Sequence, residues 1–264
     1  MKDVQRQTRS YLMSLFRQHG MNPRGDLGQN FLIDGNILDI IVREADVRSN
    51  ETVLEIGPGL GALTVKLLDR ADKVRAIEKD GRLADYIRRQ YPEVDLIHGD
   101  ACAVELPACD KVVANLPYSI STAVLERFVE GAARPRRLVL MLQKEVALRL
   151  TATPRHKDYS ALTLFTQLRY HVTVVHVVSR HCFFPEPGVE SAIIALDRRE
   201  PRVLLEPGAE FHRLVRNGFQ QRRKMLRKLV PGAEAILPTL GLPATARAEE
   251  LSLEQWIQLA NALG

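Results

Sequence analysis

The sequence predicts an α/β protein with a doubly wound, mostly parallel sheet, followed by a small helical C-terminal part. Short runs rich in Val, Ile and Leu alternate with helical patterns over about residues 51–142. Near-continuous apolar runs suit strands buried on both faces, and their alternation with helices is typical of right-handed βαβ units. From about Arg198 onwards the periodicity is helical instead.

The first domain is predicted to span residues 1–197, with a helical N-terminal lead over 1–25 that contains a helix over Met1–Gln18. Its strands are expected at TVLEI, KVRAI, VDLIH, KVVAN and RLVLML. Two later runs, VTVVHVV and SAIIAL, are expected to complete the sheet as an antiparallel pair. The intervening CFFPEPGVE is expected to be an ordered loop, because its prolines exclude regular structure.

The second domain is predicted to span residues 198–264 and to be a small helical domain that contacts RNA. Helices are expected at FHRLVRNGF, KMLRKLV and LEQWIQLANAL. Ser252 is a candidate N-cap of the last helix, with Glu254 and Gln255 in position to complete the capping signal.

Composition and cysteine usage narrow the class of protein. The chain has 264 residues, 45% of them hydrophobic, a formal net charge of +5 and three cysteines without C-x-x-C spacing. We therefore expect free thiols and no metal site. With neither an N-terminal apolar region of signal-peptide type nor an apolar run of the ~20 residues that span a bilayer, we expect a cytoplasmic protein without a membrane partner. We also expect a monomer.

A glycine-rich turn in VLEIGPGLGALT lies between a predicted strand and a predicted helix. Gly57, Gly59 and Gly61 let the backbone turn tightly and approach a ligand closely. With Ala62 the segment also satisfies G-x-G-x-x-A, so by itself it equally indicates a dinucleotide site. Glu78 ends the next predicted strand, where a carboxylate can accept hydrogen bonds from both ribose hydroxyls of an adenosine cofactor.

Asp100 follows the third predicted strand, in LIHGDA. A carboxylate at this place can accept a hydrogen bond from the amino group of the cofactor's adenine. Nicotinamide enzymes have no general need for such an acid, so Asp100 favours S-adenosylmethionine as the cofactor.

The fourth predicted strand leads into Asn115-Leu116-Pro117-Tyr118. An adenine amine is a poor nucleophile because its lone pair is delocalised into the ring. The side-chain oxygen of Asn115 and the backbone carbonyl of Leu116 can hold its two N–H groups, while Tyr118 can stack on the base. Positioning and stabilisation of the developing positive charge then do most of the chemical work.

Motifs along nearly the whole chain resemble the ribosomal RNA adenine N6,N6-dimethyltransferase family that acts on small-subunit rRNA. They are DLGQNFL at 26–32, EIGPGLGALT at 55–64, IEKD, GDA, NLPYSIST at 115–122, MLQKEVALRL at 141–150, FFPEPGVESA at 183–192, QRRKMLRKL at 221–229 and EELSLEQW at 249–256. The resemblance implies a Rossmann-like class I S-adenosylmethionine-dependent methyltransferase domain. It also implies dimethylation of two adjacent adenosines near the 3′ end of 16S-type rRNA within an assembling 30S-type particle.

Site residues follow from the resemblance position by position. The segment that closes over the cofactor would contain Gln29, Asn30 and Leu32. The remaining cofactor contacts would be Gly57, Gly59, Glu78, Lys79, Asp100, Ala101 and Asn115. The target amine and base would be contacted by Asn115, Leu116, Tyr118 and Phe183, the last as the second aromatic of the base pocket. Cys102 departs from the aliphatic residue that often follows GDA, and no chemistry is assigned to it.

A basic segment from Phe211 to Lys228 contains no acidic residue. Because phosphate neutralisation drives nucleic-acid binding, we expect its cations to contact RNA. They are Arg213, Arg216, Arg222, Arg223, Lys224, Arg227 and Lys228. Arg222, Arg223 and Lys224 are expected at consecutive helical positions, about 100° apart, so that they cannot all face the core.

Three other functions remain open at this point. A large-subunit rRNA adenine methyltransferase of the macrolide-resistance type shares the glycine loop and the N-L-P-Y motif, although EELSLEQW and the long N-terminal lead favour the small-subunit enzyme. A non-enzymatic assembly factor would bind the maturing subunit without catalysis. A nicotinamide dehydrogenase would explain the glycine loop but has no use for NLPY.

Overall fold

Two compact units make up the computed structural model, which describes residues 8–131, 134–199 and 209–264. The first unit comprises Met1–Ala147 and Val172–Arg198, and the second comprises Leu148–His171 and Arg199–Gly264. Residues 148–171 thus group with the C-terminal unit, whereas the sequence placed them in the first domain. The helix Ala161–Arg169 explains this, because it packs against helices at 209–219 and 253–263. The functional roles of the two domains stay predictions.

The strands and helices of the described residues follow the predicted alternation. The strands are β1 (Phe31–Leu32), β2 (Thr52–Ile56), β3 (Lys73–Glu78), β4 (Asp95–His98), β5 (Lys111–Asn115), β6 (Arg137–Gln143), β7 (Tyr170–Val178), β8 (Phe183–Phe184) and β9 (Ser191–Arg198). The α-helices are α1 (Arg9–Gln18), α2 (Gly35–Ala45), α3 (Ala62–Leu68), α4 (Gly81–Gln90), α5 (Ser121–Glu130), α6 (Lys144–Leu150), α7 (Ala161–Arg169), α8 (Ala209–Phe219), α9 (Ala233–Ile236) and α10 (Leu253–Leu263). Residues 1–7 of the predicted N-terminal helix lie outside the described residues.

Seven strands form one sheet in the order β4-β3-β2-β5-β6-β9-β7. The first five of these are parallel neighbours, and β9 runs antiparallel to β6. The strand order reverses between β2 and β5, and ligands of open α/β sheets bind at such a switch point, outside the carboxyl ends of the strands. The glycine loop follows β2 and the NLPY turn follows β5, so the topology brings both to this edge.

One part of the loop prediction for residues 182–190 is wrong. Phe183 and Phe184 form strand β8, which pairs antiparallel with β1, so that Phe183 lies opposite Leu32 and Phe184 opposite Phe31. Both residues precede Pro185 and therefore keep the backbone N–H groups that a strand needs. The exclusion of regular strand pairing by proline, which lacks a backbone N–H, therefore applies only from residue 185 onwards.

The second unit has a core around Trp256, which is fully buried and whose indole N–H donates to the Ala248 carbonyl at 3.2 Å. A side chain at Gly218 of α8 would meet the Trp256 ring at 2.6 Å, so the two helices pack closely there. Ser252 caps α10 in a capping box with Gln255, which confirms the predicted cap.

The helix predicted over KMLRKLV is absent. Residues 220–224 form turns, and only Leu226–Lys228 make a short 3₁₀ turn. The backbone of Met225 is extended because it bridges to Arg247, and the Leu226 N–H donates to the Ala246 carbonyl at 2.8 Å. Tertiary pairing overrides the local helical pattern.

No helix within the described part of the chain is long and apolar enough to cross a lipid bilayer.

Candidate active site

The glycine-rich loop turns sharply between β2 and α3. Gly57, Gly59 and Gly61 have φ angles of +69°, +59° and +83°, a region that residues with a side chain rarely adopt. A Cβ at Gly59 would lie 3.1 Å from the ring of Phe31, and one at Gly61 would lie 2.3 Å from the ring of Tyr91. Both the backbone conformation and the close packing therefore require glycine here.

Glu78, at the end of β3, places a carboxylate beside this loop. Its side chain is buried and accepts the backbone N–H groups of Gly59 at 3.2 Å and Asp80 at 2.8 Å. Burial raises the pKa of Glu78, and these backbone hydrogen bonds oppose the rise. The site thus holds a desolvated carboxylate whose remaining acceptor capacity suits hydroxyl donors.

Gln29 and Asn30 are fixed by short-range and long-range hydrogen bonds. The Gln29 amide donates to Asp80 at 3.1 Å and its oxygen accepts the Arg24 N–H at 2.8 Å, while the Asn30 amide donates to the Gly28 carbonyl at 3.2 Å. Hydrogen bonding to the Arg82 guanidinium lowers the pKa of Asp80 to about 2. A permanently charged Asp80 therefore anchors the segment around Gln29.

Lys79 and Asp100 form an ion pair at neighbouring strand ends. The Lys79 ammonium lies 2.8 Å from Asp100, whose other oxygen accepts the Cys102 N–H at 2.8 Å. Hydrogen bonding to Lys79 lowers the pKa of Asp100. Lys79 lines the cleft described below, whereas Asp100 and Ala101 are not among its lining residues.

The turn Asn115-Leu116-Pro117-Tyr118 follows β5. The Asn115 amide group donates to the Asn30 carbonyl at 3.3 Å, which leaves its side-chain oxygen as an acceptor. The Leu116 N–H donates to the Met141 carbonyl at 3.0 Å, and the Leu116 side chain is buried. The turn is thereby fixed to the sheet and to the segment that contains Asn30.

Tyr118 is held by a residue that sequence reasoning missed. Its hydroxyl makes a short hydrogen bond with that of Ser191, the fully buried first residue of β9. Burial raises the pKa of Tyr118, and the hydrogen bond to Ser191 opposes that rise. The serine of the motif FFPEPGVESA is therefore in position to orient the tyrosine ring.

The structure places Phe183 in the hydrophobic core rather than in the cleft. It is 3% exposed and packs in the same buried cluster as Leu32, the residue opposite it in the small sheet. Phe184 is half-buried instead, with the Arg9 guanidinium 4.9 Å from its ring centre. Contact between Phe183 and the substrate base stays a prediction.

One open cleft brings most of the predicted site residues together. The predicted residues that line it are Gln29, Asn30, Leu32, Gly57, Gly59, Glu78, Lys79, Asn115, Leu116 and Tyr118. Phe31 also lines the cleft and was not predicted.

The residues present fit S-adenosylmethionine. The buried carboxylate of Glu78 suits the ribose hydroxyls, and Gly57 and Gly59 line the cleft beside it. The acceptors of Asn115 and Leu116 lie in the same cleft, so donor and acceptor molecules can meet there.

The seven cations of the basic segment are all exposed in the second unit. Arg213 and Arg216 lie on α8, while Arg227 and Lys228 belong to the 3₁₀ turn. The prediction that Arg222, Arg223 and Lys224 occupy consecutive helical positions is wrong, since they lie in the turn after α8.

Acidic partners come from outside the basic segment. Arg213 pairs with Glu210 of the same helix, and Arg222 pairs with Glu249 at 2.9 Å. The absence of acids between 211 and 228 therefore does not leave every cation of the segment unpaired.

Comparison with known proteins decides the family. Residues 20–264 match the family described as Ribosomal RNA adenine dimethylase. The chain belongs to this family. The resemblance drawn from the motifs is confirmed, and the chain is an S-adenosylmethionine-dependent adenine dimethyltransferase of ribosomal RNA. Membership also excludes the nicotinamide dehydrogenase suggested by the glycine loop alone.

Individual relatives cover most of the chain. A Ribosomal RNA small subunit methyltransferase A from Clostridium acetobutylicum is 39% identical over 254 residues, which cover 90% of this chain and 92% of the relative. The crystal structure of a dimethyladenosine transferase from Plasmodium falciparum is 30% identical with a TM-score of 0.75, over 87% of this chain and 95% of that one. The crystal structure of the 23S rRNA methyltransferase ErmE is also 30% identical, with a TM-score of 0.68, over 89% of this chain and 99% of that one. The fold is the expected Rossmann-like class I methyltransferase fold.

Proposed function

We propose that this enzyme dimethylates N6 of two adjacent adenosines near the 3′ end of small-subunit rRNA within an assembling 30S-type particle. It acts as a monomer in the cytoplasm and contributes to small-subunit biogenesis. The observation that carries the chemistry is one cleft that contains both the Glu78 carboxylate and the Asn115–Tyr118 turn. Small-subunit rRNA is favoured because a relative named for it is similar over 92% of its own length.

In this proposal, Asn115 and Leu116 hold the target amine. Bound S-adenosylmethionine supplies an electrophilic methyl group. The Asn115 side-chain oxygen and the Leu116 carbonyl accept the two N–H groups of the amine and orient its nitrogen. Both oxygens carry partial negative charge, so they stabilise the positive charge that develops on this nitrogen.

The site needs no strong general base. The amine proton becomes acidic only after the nitrogen has gained its new bond, and it can then pass to solvent. After the first methylation one N–H remains, so either oxygen still has a donor to bind during the second transfer. Tyr118, oriented by Ser191, offers its ring face to the base.

Glu78 and Gln29 act on the cofactor side. Glu78 would accept hydrogen bonds from the ribose hydroxyls, and Asp100, which Lys79 holds, would accept one from the adenine amino group. Gln29, Asn30 and Leu32 would cover the cofactor, with Gln29 anchored on Asp80. The exposed cations of the second unit supply phosphate contacts.

The test is transfer of a radiolabelled methyl group to 30S and 50S subunits from a strain that lacks the modification. Nuclease digestion should release N6,N6-dimethyladenosine from 30S subunits, at two adjacent positions. Labelling of 50S subunits instead would support the alternative that the similarity to ErmE raises, a large-subunit methyltransferase. Binding without methyl transfer would support a non-enzymatic assembly factor.

A further inference from the structure

Three segments of the second unit meet at one junction with an exposed outer side. They are residues 153–159, 222–226 and 246–251. The Leu226 N–H donates to the Ala246 carbonyl at 2.8 Å and ties the second segment to the third. Residues far apart in the sequence thus form one local surface.

Arg222 bridges all three segments. Its Nε and Nη2 atoms donate to one carboxylate oxygen of Glu249 at 3.1 and 2.9 Å, and its Nη1 atom donates to the Lys157 carbonyl at 2.5 Å. The backbone N–H of Arg155 donates to the Glu249 carbonyl at 2.7 Å. Three of the five guanidinium N–H groups are therefore committed to the protein itself.

The turn that Arg222 holds has an unfavourable backbone. Arg155 has a φ of +68°, and a non-glycine residue keeps such a conformation only where its surroundings fix it. The fixing contacts are the bond to the Glu249 carbonyl and an ion pair with Glu250 at 3.7 Å. Strain of this kind collects at functional sites.

Three cations at this junction make no ion pair with any residue that the structure describes. They are Lys157, Arg223 and Lys224, all exposed. Lys157 belongs to the held turn, while Arg223 and Lys224 directly follow the bridging arginine. Arg222 therefore sets the spacing between Lys157 and the other two.

We propose that the turn at residues 153–157 joins Arg223 and Lys224 in one phosphate-binding surface for the substrate RNA, and that Arg222 and Glu249 position this surface instead of contacting RNA. The inference rests on the proposed function, because it assumes ribosomal RNA as the substrate. It extends RNA contact to a segment outside the basic run and reverses the role expected for Arg222.

Glu249 provides the sharpest test, because its charge and its positioning role predict opposite effects on RNA binding. By charge alone, a carboxylate close to a phosphate-binding surface repels RNA, so removing it would tighten binding. If Glu249 positions the turn, Glu249→Ala should instead weaken binding about tenfold, since re-ordering two long side chains on binding costs about that much. Glu210→Ala is the matched control: Glu210 also pairs with an exposed arginine, and the side-chain exposures are 28% and 26%. This control should not weaken binding.

The full-length protein is titrated with unmethylated 30S subunits over a KCl series at fixed Mg²⁺. Lys157→Ala and Arg223→Ala should each flatten the dependence of log affinity on log salt by just under one, the value for one duplex phosphate contact. Arg222→Lys keeps the charge but loses the planar fork whose three N–H groups bind Glu249 and the Lys157 carbonyl, so it should weaken binding like Arg222→Ala.

A double-mutant cycle separates positioning from contact. In the Arg222→Ala background, Lys157→Ala should weaken binding to 30S subunits little further. In the Arg223→Ala background, the losses of binding free energy should add. Tighter binding by Glu249→Ala, additivity of the Arg222 and Lys157 changes, or wild-type binding by Arg222→Lys would each overturn the inference. Thermal denaturation checks that the variants fold. If Glu249→Ala does not fold, Lys157→Ala still tests whether the turn contacts RNA.

The proposed function is tested separately. Methylation of 30S subunits by the wild-type protein with unchanged binding by all these variants would overturn only this inference. A wild-type protein that neither binds nor methylates 30S subunits would overturn the proposed function.

Discussion

Replacing Glu55 with glutamine tests how the glycine-rich loop is anchored. Glu55 lies on β2 just before the loop, and Thr64 lies on α3 just after it. The Thr64 hydroxyl donates to the Glu55 carboxyl at 2.7 Å, and both side chains are buried. Burial raises the pKa of Glu55 from 4.5 to about 8, against the Thr64 hydrogen bond and with a smaller contribution from Glu78.

The sign of the effect follows from the raised pKa. A carboxyl whose pKa is higher in the folded state contributes stability that is complete below its unfolded pKa of 4.5 and is lost as pH rises through about 8. Each pH unit between these values is worth ~1.4 kcal/mol, so the loss amounts to about 5 kcal/mol at most. Glutamine keeps an acceptor for Thr64 but does not titrate.

Urea unfolding of wild type and Glu55→Gln from pH 5 to 9, without cofactor, measures this difference. The variant should gain stability relative to wild type steadily as pH rises, and the gain should level off above pH 8. Glu105→Gln, at an exposed position, is the control and should show no such trend. A constant stability difference across the range would refute the view that Glu55 is protonated in the folded protein near neutral pH.

Four further substitutions test the cleft. Asn115→Ala should lower turnover far more than affinity for 30S subunits, because its oxygen acts on charge that develops in the transition state; equal turnover with weaker binding would contradict this role. Glu78→Gln should weaken S-adenosylmethionine binding at neutral pH by ~1–1.5 kcal/mol for each hydrogen bond that changes from charged to neutral, measured by calorimetry, and because the pKa of Glu78 is raised this difference from wild type should narrow as pH falls. Ser191→Ala should lower kcat with little change in cofactor affinity, since it frees Tyr118; unchanged kcat would limit Ser191 to packing. Phe183→Leu should lower methylation more than stability if Phe183 stacks on the base, whereas lower stability with normal activity would assign it to the core alone.

The parallel sheet was predictable from sequence because its inner strands β2, β5 and β6 are almost wholly buried and therefore appear as near-continuous apolar runs. The site residues at the strand ends followed from the same alternation, since the topology alone brings residues 57, 78 and 115 to one edge. The residues after Phe219 were mispredicted because their pattern is locally helical while their backbone bonds are made with residues 246 and 247.

The supporting contacts of the site were not predictable in the same way. Asp80 binds Gln29 from 51 residues away, and Ser191 binds Tyr118 from 73 residues away. No local periodicity records such a pair. Asp80 belongs to the motif IEKD and Ser191 to the motif FFPEPGVESA, but neither motif indicates which side chain the residue contacts.

The place of β9 in the sheet has a consequence for synthesis of the chain. Residues 191–198 insert between β6 and β7, although they leave the ribosome after both. Until then a nascent chain presents the apolar strand β6 with an unpaired edge, which is a template for aggregation. A chain that stops at residue 190 should therefore be insoluble, as sedimentation of the truncated product would show. An enzyme that modifies ribosomes thus depends on continued elongation to complete its own sheet.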